Sequence, residues 1–446
     1  MRIKQAVSMI PYGLLAGIVD GREVRITELG ENGFVFRMAE RVDKIQEISL
    51  QFYVESENCY RKIEISGNQV KKAEKQRFFT EYTVLTEAEE YQKCVRQLLS
   101  DYWKYISLKM TETDGEVAAW YTGYPVQQDD EYASCLEEQK AEWFCEASKT
   151  ANGQKLEEGV ELAVELDTPQ LYDEWLQKPT GKFVEAYWMK NGLESHPLAS
   201  RKVDRLYIGN AFCPHLFPPR ESLQAILKKA KKECIPVTLT FPWIKEGQLE
   251  DVKECLVCLE QTGECLPDEM VVNDWGLLHL LWRWKQQTQN KIRINLGILL
   301  GRPKKDTRCR YLKTEAACFR KTNLNSDFYQ EYLKKYQIER YEMEACGHEL
   351  AVPEGRHSLH IPFFQTNTAQ FCTLYAKFIY GDRGRQEAVK KCPKYCRELA
   401  FLYPRHLEMF GKYNTLFGYD RQTLQEMGYL NQYIRQGIDR IVVNLM

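Results

Sequence analysis

Three cysteines near the C-terminal end of the sequence have a spacing that suits a metal ion or a metal cluster. Cys372, Cys392 and Cys396 fall within one stretch, Phe371 to Leu399, in which basic and aromatic residues separate them. Cys392 and Cys396 are four residues apart, so on one helical turn both sulfurs would face the same side. A site with four ligands needs one more thiol. Cys213, in the run RLYIGNAFCPHLFPP, is the candidate because it follows a predicted strand and precedes a predicted helix.

Four thiolates in a protein of a reducing compartment fit a 4Fe-4S cluster or structural zinc. Structural zinc sites usually use two tight pairs of ligands, whereas Cys213 lies about 160 residues before the other three cysteines. This separation favours a cluster held by an already folded barrel, with zinc and unligated buried thiols as the alternatives. Other cysteines compete for a metal: Cys255, Cys258 and Cys265 around the CLVC motif of a predicted helix, and Cys309 and Cys318 as a fourth ligand.

Composition and charge limit the classes of protein that this chain can belong to. Its 446 residues are enough for two domains, and its 61 basic and 63 acidic residues give no overall attraction to nucleic acid or anionic membrane. No run of 18 apolar residues and no signal-peptide pattern occurs, so we expect a cytoplasmic protein without a membrane span. Fifteen cysteines are then free thiols rather than a disulfide framework. Those expected to pack as small buried hydrophobic residues are Cys59, Cys94, Cys135, Cys145, Cys234 and Cys346.

Residues 1–110 have the pattern of a β-rich module closed by a helix. Alternating apolar and polar residues predict four half-buried strands: REVRITE at 22–28, GFVFRM at 33–38, EISLQFYVE at 47–55 and CYRKIEI at 59–65. A capping box of Thr86 and Glu89 starts a predicted helix that runs to Ile106. Residues 111–158 are acidic and polar, and we interpret them as a connecting segment.

Residues 159–446 alternate short apolar strands with amphipathic helices, the pattern of parallel strands joined by right-handed crossovers. The predicted strands are ELAVEL at 161–166, KFVEAYW at 182–188, RLYIGN at 205–210, PVTLTF at 236–241, EMVVND at 269–274, IRINLGI at 292–298, RYEME at 340–344, SLHIPFF at 358–364 and DRIVVNL at 439–445. Helices are predicted between them at 222–232, 249–261 and 276–287. The fold class is therefore α/β, a TIM-like (β/α) barrel with an N-terminal β-rich domain.

In such a barrel, the functional residues lie at the C-terminal ends of the strands. The strand ends bring Cys213 and Cys372 to the same rim, which supports a shared metal site independently of any resemblance. Asn273, Asp274 and Arg302 also follow strands and are candidates for substrate binding, although Asp274 is equally suited to cap the next helix.

Arg302 belongs to the basic stretch GRPKKDTR, residues 301–308, which follows a predicted strand directly. Together with Lys304, Lys305 and Arg308, it could hold an anionic substrate or an RNA backbone. The alternative is that this stretch is a solvated loop.

The sequence offers no recognisable catalytic motif. HExxH, GxSxG, GxxxxGK[ST] and GxGxxG are all absent, so zinc proteases, serine hydrolases and the usual nucleotide-binding loops have no support. Four histidines are of a residue type that can act in catalysis or bind a metal: His348, His357, His360 and His406. HSLH at 357–360 alternates within a strand without a carboxylate pair beside it in sequence, so these histidines are expected on the surface or in the core.

The run RLYIGNAFCPHLFPP, followed later by DEMVVNDWGLLHLL, resembles the barrel of peptidase family U32, the collagenase-like proteases. The sequence is most similar to the branch that contains the paired proteins of oxygen-independent ubiquinone hydroxylation. In that branch, one early cysteine and three late ones, the last two spaced CxxxC, bind a 4Fe-4S cluster. Cys213 matches the early position, and Cys372, Cys392 and Cys396 match the late ones. The 20-residue interval between Cys372 and Cys392 is longer than in that branch, which also lacks the N-terminal module.

The turn ELGENG, Glu28 to Gly33, loosely resembles the second motif of PilZ-like barrels, which helps to bind a cyclic dinucleotide in that family. The paired arginines that hold phosphate there are missing, because Arg22 and Arg25 have a different spacing and stand too close to the turn. We therefore interpret this module as a scaffold or docking domain.

These observations lead to three hypotheses. The first is an iron-sulfur protein that takes part in oxygen-independent hydroxylation or RNA modification, with a partner subunit and with RNA or a small anion as substrate. The second is a non-catalytic protein that binds a partner and carries a structural metal site. The third is a peptidase, as the family label implies. No residue is assigned a catalytic role.

Overall fold

The computed structural model describes residues 3–4, 6–8, 10, 13–54, 57, 59–110, 132–134, 136–150, 155–261, 263, 265–307, 309, 319–389, 391–403 and 407–446. The chain divides into two compact units, one up to residue 126 and one from residue 127 onward, apart from a short stretch that is not among the described residues. Most of the predicted connecting segment, residues 111–131, is likewise outside the described part. Within the described ranges, no helix has the length and apolar composition needed to cross a membrane.

The N-terminal unit is an antiparallel sheet with one long helix. Its strands are β1 Val7–Ser8, β2 Leu15–Val19, β3 Arg22–Gly30, β4 Gly33–Met38, β5 Glu47–Val54, β6 Cys59–Ser66, β7 Val70–Lys75 and β8 Thr80–Leu85, in the order β6-β5-β2-β3-β4-β8-β7 with β1 beside β3. Helix α1, Glu89–Met110, buries Tyr91, Val95 and Leu98 in the core of this unit, and the Tyr91 hydroxyl donates to the Gly30 carbonyl at 2.8 Å. The four strands predicted for this unit are present as β3, β4, β5 and β6.

The second unit is built on a closed barrel of eight parallel strands, as the sequence predicts. In barrel order these are β10 Glu161–Leu166, β11 Arg205–Gly209, β12 Val237–Thr240, β13 Glu269–Val272, β14 Arg293–Leu296, β15 Arg340–Glu344, β16 Arg356–Ile361 and β21 Ile438–Val443. The last strand closes the barrel against the first, with Glu161 opposite Arg440 and Ala163 opposite Val442.

Helices connect the strands and cover the barrel. They are α2 Leu136–Thr150, α3 Pro169–Gln177, α4 Thr180–Lys190, α5 Arg220–Lys232, α6 Leu249–Gln261, α7 Trp275–Thr288, α8 Ile298–Gly301, α9 Asp327–Lys334, α10 Thr373–Tyr380, α11 Gln422–Gln425 and α12 Met427–Arg435. Helix α5 shows the pattern well, because Leu223, Ile226, Leu227 and Ala230 recur at helical spacing and are all buried.

Four strands of a small antiparallel sheet are inserted between the last two barrel strands, and its fifth strand precedes the barrel in sequence. Its order is β17-β20-β19-β18-β9, formed by β17 Phe363–Thr368, β20 Thr415–Tyr419, β19 Met409–Lys412, β18 Ala400–Leu402 and β9 Tyr132–Ser134. The sequence patterns predicted only the first residues of β17, as part of a barrel strand. The insertion carries three of the predicted ligands, because Cys372, Cys392 and Cys396 all lie on it, between β17 and β18.

Two predicted strands differ from the structure. KFVEAYW at 182–188 lies within helix α4, where Phe183, Val184, Tyr187 and Trp188 are buried on one face at helical spacing. Aromatic and branched residues favoured a strand, but their period is that of a helix. SLHIPFF at 358–364 is divided by Pro362, whose missing N–H ends barrel strand β16 before β17 begins in the other sheet.

The remaining cysteines are less uniformly buried than expected. Cys94 and Cys346 are buried, but Cys59, Cys145 and Cys234 are exposed, so packing as small hydrophobic residues does not explain these three. Cys135 is outside the described residues.

Buried ion pairs fill much of the barrel interior. Arg440 donates through Nη1 to Glu269 Oε2 at 2.7 Å and through Nε to Glu161 Oε2 at 2.6 Å, and the side chains of Arg440 and Glu269 are each only 1% exposed. Burial raises the pKa of Glu269, but the hydrogen bonds and charge of Arg440, with the charge of Arg205, outweigh it and lower that pKa. Ala163, Tyr207, Val271 and Val442 form an apolar cluster of their own.

Removing the charge of Arg440 should destabilise the barrel strongly. We expect Arg440→Met to reduce the free energy of unfolding by about 3–5 kcal/mol, because it leaves Glu269 buried without its main partner. Denaturant unfolding followed by circular dichroism measures this change. The matched control is Arg435→Met, whose exposed pair with Glu157, at 2.7 Å, should contribute under about 1 kcal/mol. Equal stability of the two variants would contradict the expectation.

Candidate functional site

Cys213 is positioned by a turn that follows barrel strand β11. The side-chain oxygen of Asn210 accepts hydrogen bonds from the backbone N–H groups of Phe212, at 2.9 Å, and Cys213, at 2.8 Å. The amide of Asn210 in turn donates to the Asp167 carbonyl at 3.2 Å, so this turn is tied to the end of the neighbouring strand β10. Cys213 is thus held, buried, at the C-terminal end of the barrel, where the sequence predicted it.

The three late cysteines lie on the inserted segment, and two of them accept a backbone hydrogen bond on sulfur. Cys372 caps the N-terminus of α10, where its Sγ accepts from the Tyr375 N–H at 3.4 Å and donates to the Tyr413 carbonyl at 3.1 Å. The Sγ of Cys392 accepts from the N–H of Lys394 at 3.4 Å. Hydrogen bonds of this kind stabilise thiolate sulfur and tune iron-sulfur centres.

The spacing of Cys392 and Cys396 predicted a shared helical turn, and this prediction is wrong. Cys396 lies in a short 3-10 turn, Tyr395–Arg397, and Cys392 precedes it outside any helix. Pro393 disfavours helical conformation at the residue before it, and Lys394 has a left-handed φ of 61°. The backbone therefore turns between the two thiols.

The four thiols act on one another electrostatically. Burial raises the pKa of Cys213, and the charges of Cys396, Cys372 and Cys392 raise it further. Burial likewise raises the pKa of Cys396 to about 12, against the charge of Lys412, and Cys372 and Cys392 add to the shift. Side chains from two distant segments of the chain therefore come together at the barrel mouth.

The donor set is four thiols, the ligand type of an iron-sulfur cluster and of structural zinc. Among the described residues, no three His, Cys, Asp or Glu side chains are arranged so that they could hold one metal ion. Zinc needs its ligands to converge on one point at about 2.3 Å from sulfur, whereas each thiolate of a 4Fe-4S cluster binds a different iron atom. Four neighbouring thiols, two of them with N–H donors on sulfur, are compatible with the second arrangement.

A cavity of about 650 Å³ adjoins the thiols. Cys213 and Cys372 line it, and so do the rival thiols Cys255 and Cys258 of helix α6. Its volume is in the range of sites for small organic molecules. Cys265, the third member of the rival set, does not line this cavity and lies instead beside Cys234 at a separate one.

Two of the three residues predicted to bind substrate, Asn273 and Asp274, have internal contacts. Asn273 is buried, donates to the Phe241 carbonyl at 2.9 Å and accepts from the Leu299 N–H at 3.2 Å. Asp274 caps helix α7 by accepting from the Leu277 N–H at 2.9 Å. Substrate binding by these residues stays a prediction, because no contact of either side chain tests it.

The basic stretch at 301–308 is divided between interior and surface. Arg302 is exposed and has a left-handed φ of 44° at the end of α8. Lys305 is instead buried, where it pairs with Glu344 and donates to Gln365 Oε1 at 3.0 Å. Lys304 is exposed, with its ammonium 5.3 Å from the centre of the Phe319 ring. Arg308 and the alternative ligand Cys318 are outside the described residues, and Cys309 is partly buried.

The sequence patterns missed a buried charged centre at His360. Its Nε2 lies 2.9 Å from Glu342 Oε2 and its Nδ1 lies 3.4 Å from Glu165 Oε2, so a carboxylate pair does flank this histidine. Burial lowers the pKa of His360, but the two carboxylates outweigh it and raise that pKa to about 10. The rings of Tyr207 and His360 are nearly perpendicular, with 5.5 Å between their centres.

One signal in the sequence points to this centre. Charged or polar residues alternate with apolar ones inside the barrel strands, as in ELAVEL, RYEME and SLHI. In a closed barrel, alternate residues point inward, so these charges must meet there and pair. The other histidines differ: His348 and His357 bond backbone carbonyls, and His406 is not described.

No protein-family model matches the chain, and no curated protein is significantly similar to it. Among solved structures, an uncharacterized Legionella protein aligns with 23% of this chain and 97% of its own length, at 16% identity and a TM-score of 0.18. A U32 peptidase aligns with 66% of this chain and 96% of its own length, at 8% identity and a TM-score of 0.30. Similarities of this size support no conclusion about this chain, so its fold is described from the barrel geometry and its function is argued from the site.

The charge of His360 should make stability depend on pH. In the unfolded chain its pKa is about 6.5, so its contribution to the free energy of unfolding is complete below that pH and is lost as pH rises toward the folded pKa of about 10. We expect the stability difference between wild type and His360→Gln to fall by roughly 4 kcal/mol across this window, measured by denaturant unfolding.

His348→Gln is the control for this measurement. Burial lowers the pKa of His348, so this imidazole is neutral in both states once the pH is well above the unfolded pKa of about 6.5, and its contribution should stay constant there. A difference for His360→Gln that stays constant or grows over the same window would contradict the charged state of His360.

Proposed function

We propose that this chain is an iron-sulfur protein that binds a 4Fe-4S cluster through Cys213, Cys372, Cys392 and Cys396 and takes part in oxygen-independent hydroxylation or RNA modification. The observation that supports the proposal best is the grouping of the four thiols, from a loop after β11 and from the inserted segment, beside the 650 Å³ cavity. When bound, such a cluster supplies one-electron transfer at the barrel mouth.

This chain's own residues have defined tasks in the proposal. Asn210 fixes the turn that carries Cys213, and the N–H groups of Tyr375 and Lys394 point at the sulfurs of Cys372 and Cys392. The adjoining cavity admits a small organic substrate. The resemblance of the cysteine pattern to the iron-sulfur branch of family U32 supports the reaction class and a partner subunit.

Iron and acid-labile sulfide content test the cluster. Protein purified without oxygen should hold about four irons and four sulfides per chain and absorb in the visible range. Cys213→Ser, Cys372→Ser, Cys392→Ser and Cys396→Ser should each lose most of the iron, because each removes one ligand. Zinc in place of iron, or a folded wild type without metal, would overturn the proposal.

Two further thiols serve as matched controls. Cys145→Ser changes an exposed cysteine and should leave the iron content unchanged. Cys255→Ser changes a thiol that lines the same cavity and should also keep its iron; a loss equal to that of Cys213→Ser would move the ligand set to helix α6.

The reaction class needs a test in cells. RNA and small-molecule extracts of anaerobically grown cells with wild type, with Cys213→Ser and without the protein should be compared by mass spectrometry. We expect one species that gains the mass of an oxygen atom only in the presence of the wild type. Proteolysis of denatured casein by purified, metal-free protein would instead favour the peptidase hypothesis.

A further inference from the structure

The cavity beside the thiols has apolar walls. Phe217 and Phe241, whose rings are stacked with 5.0 Å between centres, line it together with Leu223, Val252 and Pro218. Leu223, Phe241 and Val252 are buried in the core, so these walls are supported from behind by the barrel and by α5 and α6. Such walls favour a ring or another compact apolar group over an extended polar chain.

Lys245 brings a positive charge to this cavity without a matching carboxylate. Its Nζ donates to the Gln370 carbonyl at 2.6 Å and lies 4.6 Å from the centre of the Phe371 ring and 5.6 Å from that of Trp243. Within the described part of the chain, no Asp or Glu forms an ion pair with Lys245. An ammonium carries three donors, so two of them remain for another acceptor.

A second donor belongs to Trp243, another residue of the cavity wall. Its indole N–H is buried and has no acceptor among the described residues, and Trp243 is only two residues from Lys245 on the loop that follows β12. A buried donor without an acceptor is costly, and such groups commonly face a water or a ligand. The acidic lining residues Asp251 and Glu254 are exposed on α6 and bond neither donor.

We propose that this cavity binds an apolar organic anion, with its ring against Phe217 and Phe241 and its anionic group against Lys245 and Trp243. The inference builds on the proposed function, because it names the class of ligand that would lie next to Cys213 and Cys372. The anion accepts from the ammonium donors that the Gln370 carbonyl does not use and from the indole N–H. Its apolar body replaces water along the stacked rings.

Matched probes test both parts of the proposal. 2-Naphthoate and the neutral 2-naphthalenemethanol have the same ring system, and isothermal titration calorimetry gives their dissociation constants for the purified protein. We expect 2-naphthoate to bind roughly tenfold more tightly or better, the effect of a hydrogen bond to a charged group. Equal affinity of the two probes, or no binding of either, would overturn the proposal.

Variants of the lysine locate the anionic group. Lys245→Gln should bind both probes equally, whereas Lys245→Arg should keep the preference for 2-naphthoate. Lys253→Gln is the control. Lys253 is exposed on helix α6, pairs with Glu250 at 2.6 Å and does not line the cavity. A preference for 2-naphthoate that survives in Lys245→Gln would overturn the assignment. 2-Naphthyl phosphate, titrated in parallel, shows whether the preferred anion is a carboxylate or a phosphate.

The iron content of each variant separates this inference from the proposed function. Lys245→Gln should keep the wild-type iron content, since Lys245 is not one of the proposed ligands, while losing the preference for the anion. If the wild type holds no iron but prefers 2-naphthoate through Lys245, the proposed function fails and the ligand class stands. If iron is present and the preference for 2-naphthoate is absent, the proposed function stands and the ligand class fails.

Discussion

The pairing of charges inside the barrel is the constraint on which the rest of the second unit depends. Arg440 on the last barrel strand contacts Glu161 on the first and Glu269 on the fourth. One buried guanidinium therefore links three strands that are far apart in sequence. A register shift of one residue would turn these charges outward, against the apolar faces of the helices that cover the barrel. The buried network therefore fixes the register, and the register fixes where each loop leaves the barrel.

The placement of the thiols follows from that register. The loop after β11 carries Cys213, and the insertion between β16 and β21 carries the other three proposed ligands. Pro362 directs the chain out of the barrel and into the antiparallel sheet, and the short helix α10 begins at Cys372. Because the loop and the insertion leave the same end of the barrel, segments far apart in sequence meet there.

Two chemically different regions thus lie at the same end of the barrel. At its centre, His360 is held between Glu165 and Glu342, so both ring nitrogens face a carboxylate. At its edge, next to the thiols, Lys245 bonds the Gln370 carbonyl but forms no ion pair among the described residues, and the indole N–H of Trp243 has no acceptor among them. A satisfied network stabilises a fold, whereas unsatisfied donors in an apolar cavity are typical of a place where a ligand completes the bonding.

The sequence by itself determined the eight-stranded barrel and most of its strand positions, because alternation and apolar runs are local properties of the chain. The set of four cysteines, chosen from thiol chemistry and spacing, stays a prediction. Only the tertiary structure decided that KFVEAYW is a helix, since its residues pack by one buried face. The inserted sheet also required it, because short antiparallel strands carry little pattern of their own. His360 meets Glu165 and Glu342, and Lys245 meets Gln370 and Phe371, across barrel strands and loops that are distant in sequence. Such contacts arise from how the closed barrel brings its strands together, which no local pattern specifies.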